Sequence, residues 1–172
     1  YHNWRESVPF LRAELERSGR FDVKVTEEPN ALNDSALAAY DVILLHYNGP
    51  RWPAAAEQAV ERFVASGKGL VSFHGVSYGE FFGQVRKDQK WHDSGPGWSA
   101  YADLLGARWK AENIGHSVRH VFPVKWVDRA HPIANGLPET FIANDELYHK
   151  LDLKASTHVL ARAFNDTAQG GT

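Results

Sequence analysis

Short apolar runs alternate with helical repeats along the first half of the chain. The clearest run is residues 41–47, in which four consecutive aliphatic residues follow an aspartate. A second run, residues 70–73, lies between Gly69 and Gly75. Continuous apolar runs of this length are typical of strands buried on both faces of a parallel sheet. We therefore predict two such strands, the second in a central position.

Helical spacing precedes the first of these strands. Val8, Leu11 and Leu15 recur on one helical face. Ser7 is predicted as the N-cap of this helix and Gly19 as its end, because hydroxyl side chains cap helices and glycine ends them. The first helix is therefore expected to begin at Ser7.

Three further elements complete the first half. Residues 21–25 alternate between apolar and polar positions, which predicts a half-buried strand. Residues 30–39 contain Asn and Asp caps for a short helix. A longer helix is expected to begin at Pro53, after Trp52, and to end at Gly67.

The resulting order of helices and strands predicts the fold class. Alternating strands and helices favour right-handed crossovers and a three-layer, doubly wound, mainly parallel α/β sheet. Ligands of such sheets bind beyond the carboxyl ends of the strands. His46 and His74 follow two of these strands. If another strand preceded Tyr1, His2 would join them at the same edge.

The second half is less regular. Residues 75–97 form a long aromatic stretch of weak period, and loops of this length are often lids or binding loops. A short helix is predicted from about residue 98 to residue 105. Alternate residues of a strand lie on the same face. One strand is predicted to carry two histidines on one face, since the alternate positions are His116, Val118, His120 and Phe122.

Residues 141–149 place a pair of carboxylates in an apolar setting. The pair consists of Asp145 and Glu146, which would face opposite ways on a strand because adjacent residues do so. We therefore expect at most one of the two to enter a site. A last short strand is predicted at residues 157–161.

Composition narrows the classes of function. The chain has 172 residues, a net charge of -2 and no cysteine. The small charge, without a basic run, argues against nucleic-acid binding. No apolar stretch approaches the ~20 residues that span a bilayer, and no signal peptide is visible, so we expect no membrane partner. The cytoplasm and the periplasm both stay open as compartments, as does a homo-oligomer.

The ends of the sequence suggest a piece of a longer protein. The chain contains no methionine and opens directly on Tyr1. It closes on Gly170, Gly171 and Thr172, which is typical of the middle of a loop. We therefore expect one domain over residues 1–172 that is truncated at both ends.

The motifs together resemble the trehalose-utilisation (ThuA-like) family, and the resemblance covers nearly the whole chain in order. They are His2-Asn3-Trp4, His46-Tyr47-Asn48, residues 67–74, Tyr101 to Gly106, His131-Pro132-Ile133 and Asp145-Glu146-Leu147-Tyr148. The resemblance implies a fold similar to class I glutamine amidotransferases, with flavodoxin-like topology. It also implies that the family continues past Thr172 with a glycine-rich strand and another histidine.

The resemblance implies a function in carbohydrate metabolism. Its implied ligand is a small carbohydrate derivative, with the 3-keto form of a disaccharide or glycoside as one candidate. Amidotransferases use a cysteine after a central strand, whereas this chain has none, which excludes glutamine hydrolysis by a thiolate. Cleavage of a 3-keto glycoside needs a base, an acid and a group that polarises the ketone. Histidine suits proton transfer near neutral pH. The predicted catalytic residues are His46, His74, His116 and Glu146.

Substrate contacts are predicted for residues of the family motifs and for Trp52, whose ring could stack on a sugar. These residues are His2, Asn3, Tyr47, Asn48, Trp52 and Tyr101. Core packing is the alternative for Trp52. A divalent metal such as zinc could polarise the ketone, although no HExxH-type spacing is present. The sequence does not assign which catalytic residue would be a base and which a metal ligand.

Alternatives stay open for the other histidines and for the function. His131 precedes a proline and is expected to be a turn residue, and His120 could be a core histidine. No motif supports a role for His92, His149 or His158. The second functional reading is a non-catalytic carbohydrate-binding or accessory module on the same fold.

Overall fold

The chain forms two compact units. The computed structural model describes residues 3–108 and 115–164, together with residues 166 and 168. The units are Tyr1–Leu105 and Gly106–Thr172, called unit 1 and unit 2 below. None of the helices in these described ranges has the length and apolar character required to cross a membrane. A single domain over residues 1–172 stays a prediction, and each unit is described by itself.

Unit 1 begins with helix α1, Trp4–Arg17, which buries none of its residues. Asn3 occupies the N-cap position, so the prediction of a start at Ser7 was wrong. The Ser7 hydroxyl instead donates to the Asn3 carbonyl at 3.2 Å, as a serine inside a helix can. The chain turns away from the helix at Gly19, which has a φ of 68°, so the predicted helix stop at Gly19 is confirmed.

The segment after α1 does not form the predicted strand. Residues 21–25 have no strand partner among the described residues, and Phe21 and Val25 are each 47% exposed. Alternation marks a face that a sheet could bury, but a strand also needs a hydrogen-bonded neighbour. The short helix predicted next is present as α2, Asp34–Leu37, and the Asn33 side chain caps it.

A parallel pair of strands joined by a helix forms the centre of unit 1. Strand β1 is Val42–Leu45, helix α3 is Ala54–Ala65 and strand β2 is Gly69–Ser72. The register runs from Val42 opposite Gly69 to Leu45 opposite Ser72. The helix buries a small apolar stripe that consists of Ala56, Ala59, Val60 and Phe63. The predicted strand–helix–strand unit is therefore confirmed.

The predicted burial of these strands on both faces was wrong. Val42 is 40% exposed and Val71 is 51% exposed. Within the described ranges β1 and β2 pair only with each other, and every other strand pair is antiparallel. The fold is therefore mixed α/β. The three-layer doubly wound sheet is not formed by the residues described, because an apolar run shows what a strand could bury and not what covers it.

The long aromatic stretch after β2 contains a hairpin that sequence reasoning missed. Strands β3, Gln84–Lys87, and β4, Lys90–Asp93, pair in antiparallel fashion. Asp88 and Gln89 form the turn with φ values of 47 and 63, the left-handed backbone that two-residue hairpins require. The dipeptide Asp-Gln is not the usual Asn-Gly or Asp-Gly signal for such a turn, which explains why the pattern did not predict it.

Aromatic side chains form the core beside this hairpin. Helix α4, Tyr101–Leu105, follows the hairpin; the predicted short helix is present and begins at Tyr101, not at about residue 98. The rings of Phe81 and Tyr101 stack with centroids 4.6 Å apart, and those of Trp98 and Tyr101 with centroids 5.0 Å apart. Gly83 allows the backbone to close here, because a Cβ at this position would lie 2.0 Å from the Gly95 carbonyl oxygen.

Unit 2 is built from short antiparallel strand pairs. Its strands are β5 Ala107–Arg108, β6 Gly115–His116, β7 His120–Trp126, β8 Thr140–Asp145, β9 Tyr148–His149, β10 Asp152–Leu153 and β11 Ala161–Ala163. Strand β7 lies between β8 and β11, β5 pairs with β10, and β6 pairs with β9.

Two strand predictions in unit 2 need correction. His116 and His120 do not share one strand, because the chain leaves the sheet over residues 117–119 and the two histidines fall on β6 and β7. The last strand is β11, which begins at Ala161, so residues 157–160 of the predicted strand 157–161 form a connection instead. Parity arguments hold only while a strand continues, and the pattern itself does not reveal an interruption.

Candidate functional site

The ends of the parallel strands bring two predicted catalytic histidines to one edge of the sheet. His46 follows β1 directly, and His74 lies two residues beyond β2. Because Leu45 and Ser72 are paired in a parallel register, the residues after them leave the sheet at the same edge. His46 is half-buried and His74 is exposed. The structure therefore places both side chains where an α/β fold presents its ligand-binding groups.

His46 is held by a hydroxyl and by an aromatic ring. Its Nε2 atom lies 2.8 Å from Ser7 Oγ, so α1 reaches the end of β1. The Phe73 ring meets the imidazole edge-on, with centroids 5.5 Å apart and planes at 71°. Phe73 is the residue between β2 and His74. The same ring thus contacts one predicted catalytic residue and precedes the other in the chain.

Asn48 connects the two loops that carry the histidines. Its side-chain amide donates to the Gly75 carbonyl oxygen at 2.9 Å. Gly75 directly follows His74, and Asn48 lies two residues after His46. The predicted role of Asn48 was substrate binding. The contact that the structure gives it is this bond between loops, and a contact with substrate stays a prediction.

Tyr47 lies over the aromatic core of unit 1. Its hydroxyl donates to the Pro50 carbonyl oxygen at 2.8 Å. Burial raises the pKa of the Tyr47 phenol, so this group acts as a hydrogen-bond donor at neutral pH. Asn3, another predicted substrate contact, is exposed at the N-cap of α1. His2 lies outside the described residues.

Two of the predicted substrate contacts lie in the core. Trp52 is 8% exposed and Tyr101 is 1% exposed. The burial of Trp52 agrees with core packing, the alternative to sugar stacking that the sequence left open. The Tyr101 hydroxyl donates to the Val76 carbonyl oxygen at 2.5 Å. Val76 ends the 3-10 helix that His74 begins, so Tyr101 holds the turn that presents His74.

A buried carboxylate fixes the other end of the loop after His46. The Arg51 guanidinium donates to both oxygens of Glu57, at 2.7 and 2.8 Å. Arg51 also donates to the Pro96 carbonyl oxygen at 2.6 Å. Glu57 is 3% exposed and lies in the first turn of α3. Because buried carboxylates need such partners, the pair ties the loop to the helix.

In unit 2, the structure brings His116 and Glu146 together. His116 is paired with Tyr148 across β6 and β9, and the two rings lie 5.2 Å apart. The Glu146 carboxylate lies 3.8 Å from His116 Nδ1, and both side chains are partly exposed. The same Nδ1 lies 2.9 Å from the Ser117 carbonyl oxygen. A carbonyl only accepts, so Nδ1 carries a proton and Nε2 is the basic nitrogen of the neutral ring.

The backbone at this pair is supported by a buried serine and a glycine. Ser117 is fully buried, and its hydroxyl oxygen accepts from the Leu147 amide at 2.9 Å. His120 Nδ1 lies 2.8 Å from the Val118 carbonyl oxygen and so donates to it. Gly115 leaves space for His149, because a Cβ there would lie 2.5 Å from the ring.

A further cluster of polar side chains in unit 2 was missed from the sequence. His158 Nε2 lies 2.9 Å from Asp128 Oδ2, and the rings of His131 and His158 are 5.5 Å apart. The Ala130 amide lowers the pKa of Asp128 by hydrogen bonding to its carboxylate, with His158 adding to the effect. The β7–β11 pairing brings residues 128 and 158 together, and the local sequence contains no signal for this contact. His131 caps its turn by accepting from the Ile133 amide, as expected of a turn residue.

No donor set among the described residues fits a metal site. In the two described ranges, no three histidine, aspartate or glutamate side chains are placed to hold one metal ion together. His116 with Glu146 supplies a pair only, and both oxygens of Asp128 already accept hydrogen bonds. Zinc was a candidate from the sequence, and the described residues do not support it.

Comparisons with known proteins agree on one family and one fold. The sequence model of the family described as "ThuA: Trehalose utilisation" matches residues 1–172. The crystal structure of a ThuA-like protein from Parabacteroides merdae is similar, with a TM-score of 0.72 and 24% identity over 99% of this chain and 67% of that one. A ThuA-like protein from Bacteroides uniformis has a TM-score of 0.61 and 21% identity over 83% of this chain and 52% of that one. No curated protein matches the chain.

Proposed function

This chain belongs to the trehalose-utilisation (ThuA) family, and we propose that it is an enzyme acting on a disaccharide or glycoside derivative by histidine acid–base chemistry. The family implies a role in carbohydrate metabolism. The chain spans 67% and 52% of the two similar structures, so the activity is proposed for the protein of which these residues form part. The proposed substrate is the 3-keto form of trehalose or of a related glycoside.

One observation carries the proposal more than any other. His46 and His74 leave paired parallel strands at one sheet edge, and the Asn48 amide joins their loops through Gly75. Two histidines on loops that one hydrogen bond joins suit a reaction in which one group takes a proton and another gives one. The exposure of His74 leaves it accessible to a sugar from solvent.

The chemistry follows from the ketone. A ketone at C3 acidifies the hydrogen on C2. A base removes that proton, the electron pair forms a C1–C2 double bond, and the bond from C1 to the glycosidic oxygen breaks. The departing oxygen takes a proton from an acid, so the products are an unsaturated keto sugar and a free sugar. We assign the base and acid roles to His46 and His74 as a pair, because imidazole exchanges protons near neutral pH.

A turnover assay by proton NMR tests this function. Trehalose and 3-keto-trehalose are each incubated with the protein in D₂O, and release of glucose and exchange of the C2 hydrogen are followed. We expect glucose release from the keto form only, because trehalose lacks the acidified C2–H bond. Release from both substrates at equal rates, or from neither, would contradict the proposed elimination.

Variants separate a catalytic role from a structural one. His74→Ala is expected to lower kcat by at least 100-fold, within the range that general acid–base groups contribute. The matched control is His92→Ala, since His92 is an exposed histidine of the β3–β4 hairpin in the same unit. Equal activity of the two folded variants would remove His74 from the mechanism. Glu146→Gln, measured in the same assay, tests the predicted catalytic role of Glu146, which lies 3.8 Å from His116; a loss of kcat in the folded variant would support that role.

The carbohydrate-binding module is the alternative function. The exposure of His74 fits this reading as well, because a binding site on a surface needs accessible polar groups. Substrate line broadening without glucose release or hydrogen exchange would favour a module. In that case His74→Ala should abolish the broadening, and His92→Ala should preserve it.

A further inference from the structure

Ser7 contacts the candidate site from a helix that sequence reasoning assigned only a structural part. Its hydroxyl lies 2.8 Å from His46 Nε2 and 3.2 Å from the Asn3 carbonyl oxygen. A hydroxyl has one proton, and a carbonyl oxygen can only accept. Both contacts are hydrogen bonds at the same time in one arrangement only. In it, Ser7 donates to Asn3 and accepts from an Nε2–H group of His46.

We propose that Ser7 is a positioning residue that holds His46 in the tautomer protonated on Nε2. In the neutral imidazole the basic nitrogen is then Nδ1. The His46 Nε2–H group donates to the Ser7 hydroxyl oxygen, and the Ser7 hydroxyl donates to the Asn3 carbonyl oxygen. This inference rests on the proposed function where it concerns turnover, whereas the tautomer is a property of the resting protein.

The surroundings of Ser7 argue against a merely structural bond. No residue of α1 is buried, so the helix does not depend on a tightly packed face at this point. Ser7 itself is half-buried and meets a histidine 39 positions away in the chain. Serine lowers helix stability relative to alanine. A hydroxyl at this position therefore serves His46 better than it serves the helix.

Ring nitrogen shifts measure the tautomer directly. The protein is labelled with ¹⁵N in histidine, and long-range ¹H–¹⁵N spectra are recorded at about pH 8.5, well above the ordinary histidine pKa of about 6.5. His46→Gln identifies the His46 signals. We expect a pyrrole-type shift for Nε2 and a pyridine-type shift for Nδ1 of His46 in the unmodified chain. The reverse pattern would overturn the proposal even if the protein turns over 3-keto-trehalose.

Three serine variants complete the test. Ser7→Ala should move both His46 nitrogens toward averaged shifts and lower kcat at least tenfold. Ser7→Thr should restore both readouts, because a helical threonine can make the same bond to the preceding turn. Ser18→Ala is the matched control, since the Ser18 hydroxyl bonds to the Leu15 carbonyl and the Arg20 amide near the end of α1.

The outcomes distinguish this inference from the proposed function. Unchanged His46 shifts in Ser7→Ala would overturn the positioning role whatever the activity. Changed shifts, with no turnover by the unmodified chain, would support the positioning role and count against the proposed reaction. If Ser7→Ala does not fold, the shifts of the unmodified chain and of Ser7→Thr still decide the tautomer.

Discussion

The Asn48 side-chain amide donates a 2.9 Å hydrogen bond to the carbonyl oxygen of Gly75. This bond joins the loop after β1 to the loop after β2, which are 27 positions apart in the chain. Each loop carries one of the two histidines that we place in proton transfer. The relative position of His46 and His74 therefore depends on an amide that need not react itself.

Removal of this amide is expected to affect activity more than stability. Asn48→Ala should lower the free energy of unfolding by about 1 kcal/mol, the usual loss for one hydrogen bond. It should lower kcat at least tenfold, because small displacements of reacting groups have large effects on rate. Chemical denaturation and the NMR turnover assay measure the two quantities.

A matched variant controls for the loss of an asparagine. Asn30→Ala changes an exposed asparagine of a 3-10 helix in unit 1, so both readouts should stay at their original values. A drop in activity for Asn30→Ala equal to that for Asn48→Ala would contradict the bridging role. Asn48→Asp should behave as Asn48→Ala does, because a carboxylate cannot donate to the Gly75 carbonyl.

Tyr101→Phe removes the buried hydroxyl that donates to the turn containing His74. The Val76 carbonyl would lose the donor that lies 2.5 Å away, in a setting where Tyr101 is 1% exposed. We expect the free energy of unfolding to fall by about 1–3 kcal/mol, the range for a buried group left unsatisfied. Tyr40→Phe is the control, since Tyr40 is 36% exposed. An equal effect of the two variants would show that the bond to Val76 is not what stabilises the turn.

The same phenol predicts how stability changes at alkaline pH. Burial raises the pKa of Tyr101 above the unfolded value of about 10, so the folded chain keeps this proton to higher pH than the unfolded chain. Unfolding then releases a proton above pH 10, and stability falls as pH rises past that value. Below about pH 9 the phenol is protonated in the folded and the unfolded state, so it does not change the stability with pH.

Denaturant titrations at several alkaline pH values measure this slope. Tyr101→Phe should show a shallower loss of stability between about pH 10 and 11.5 than the unmodified chain. A residual slope is expected from Tyr47, Tyr78 and Tyr148, whose pKa values burial also raises. Identical slopes in the two proteins would mean that Tyr101 is not the main alkaline titration.

Two arginine–carboxylate pairs in unit 1 allow a direct comparison. Arg51 meets a Glu57 side chain that is 4% exposed, whereas Arg62 and Asp34 are 56% and 65% exposed. Arg51→Ala should lower the free energy of unfolding by on the order of 2 kcal/mol, less than for a fully buried pair because Arg51 itself reaches solvent. Arg62→Ala should change it little, as exposed pairs do. Equal losses in denaturant unfolding would contradict this ranking.

Gly115→Ala tests the geometry of the His116–Glu146 pair. The new Cβ would lie 2.5 Å from Cε1 and 2.6 Å from Nε2 of the buried His149 ring. Either strand β6 or the ring must shift, so we expect a loss of stability of about 1–3 kcal/mol, as for overpacked sites. Faster amide exchange at His116 and Tyr148 would report the strand opening. Gly136→Ala gives the opposite case, since no described atom lies within 4 Å of the new Cβ but the φ of 75° strains an alanine, so any loss there measures backbone strain without a clash.

Local pattern predicted the parallel unit of unit 1, although it misplaced the start of α1 and predicted a strand at residues 21–25 that is not formed. The apolar run of β1, the stripe of α3 and the glycine at position 67 predicted the parallel unit that positions His46 and His74. Each of these signals arises from backbone hydrogen bonding and side-chain period within a few residues. The ordered motifs also identified the family.

The tertiary structure decided which side chains meet. Ser7 with His46, and Asp128 with His158, are contacts between segments that no periodicity connects. The tertiary structure also decided which apolar side chains are buried. Trp52 lies in the core, whereas Val71 is exposed, although both are apolar. An amino-acid pattern determines which face of an element prefers to leave water. The partner that covers this face, and the polar group that reaches a given histidine, are determined only when distant segments pack.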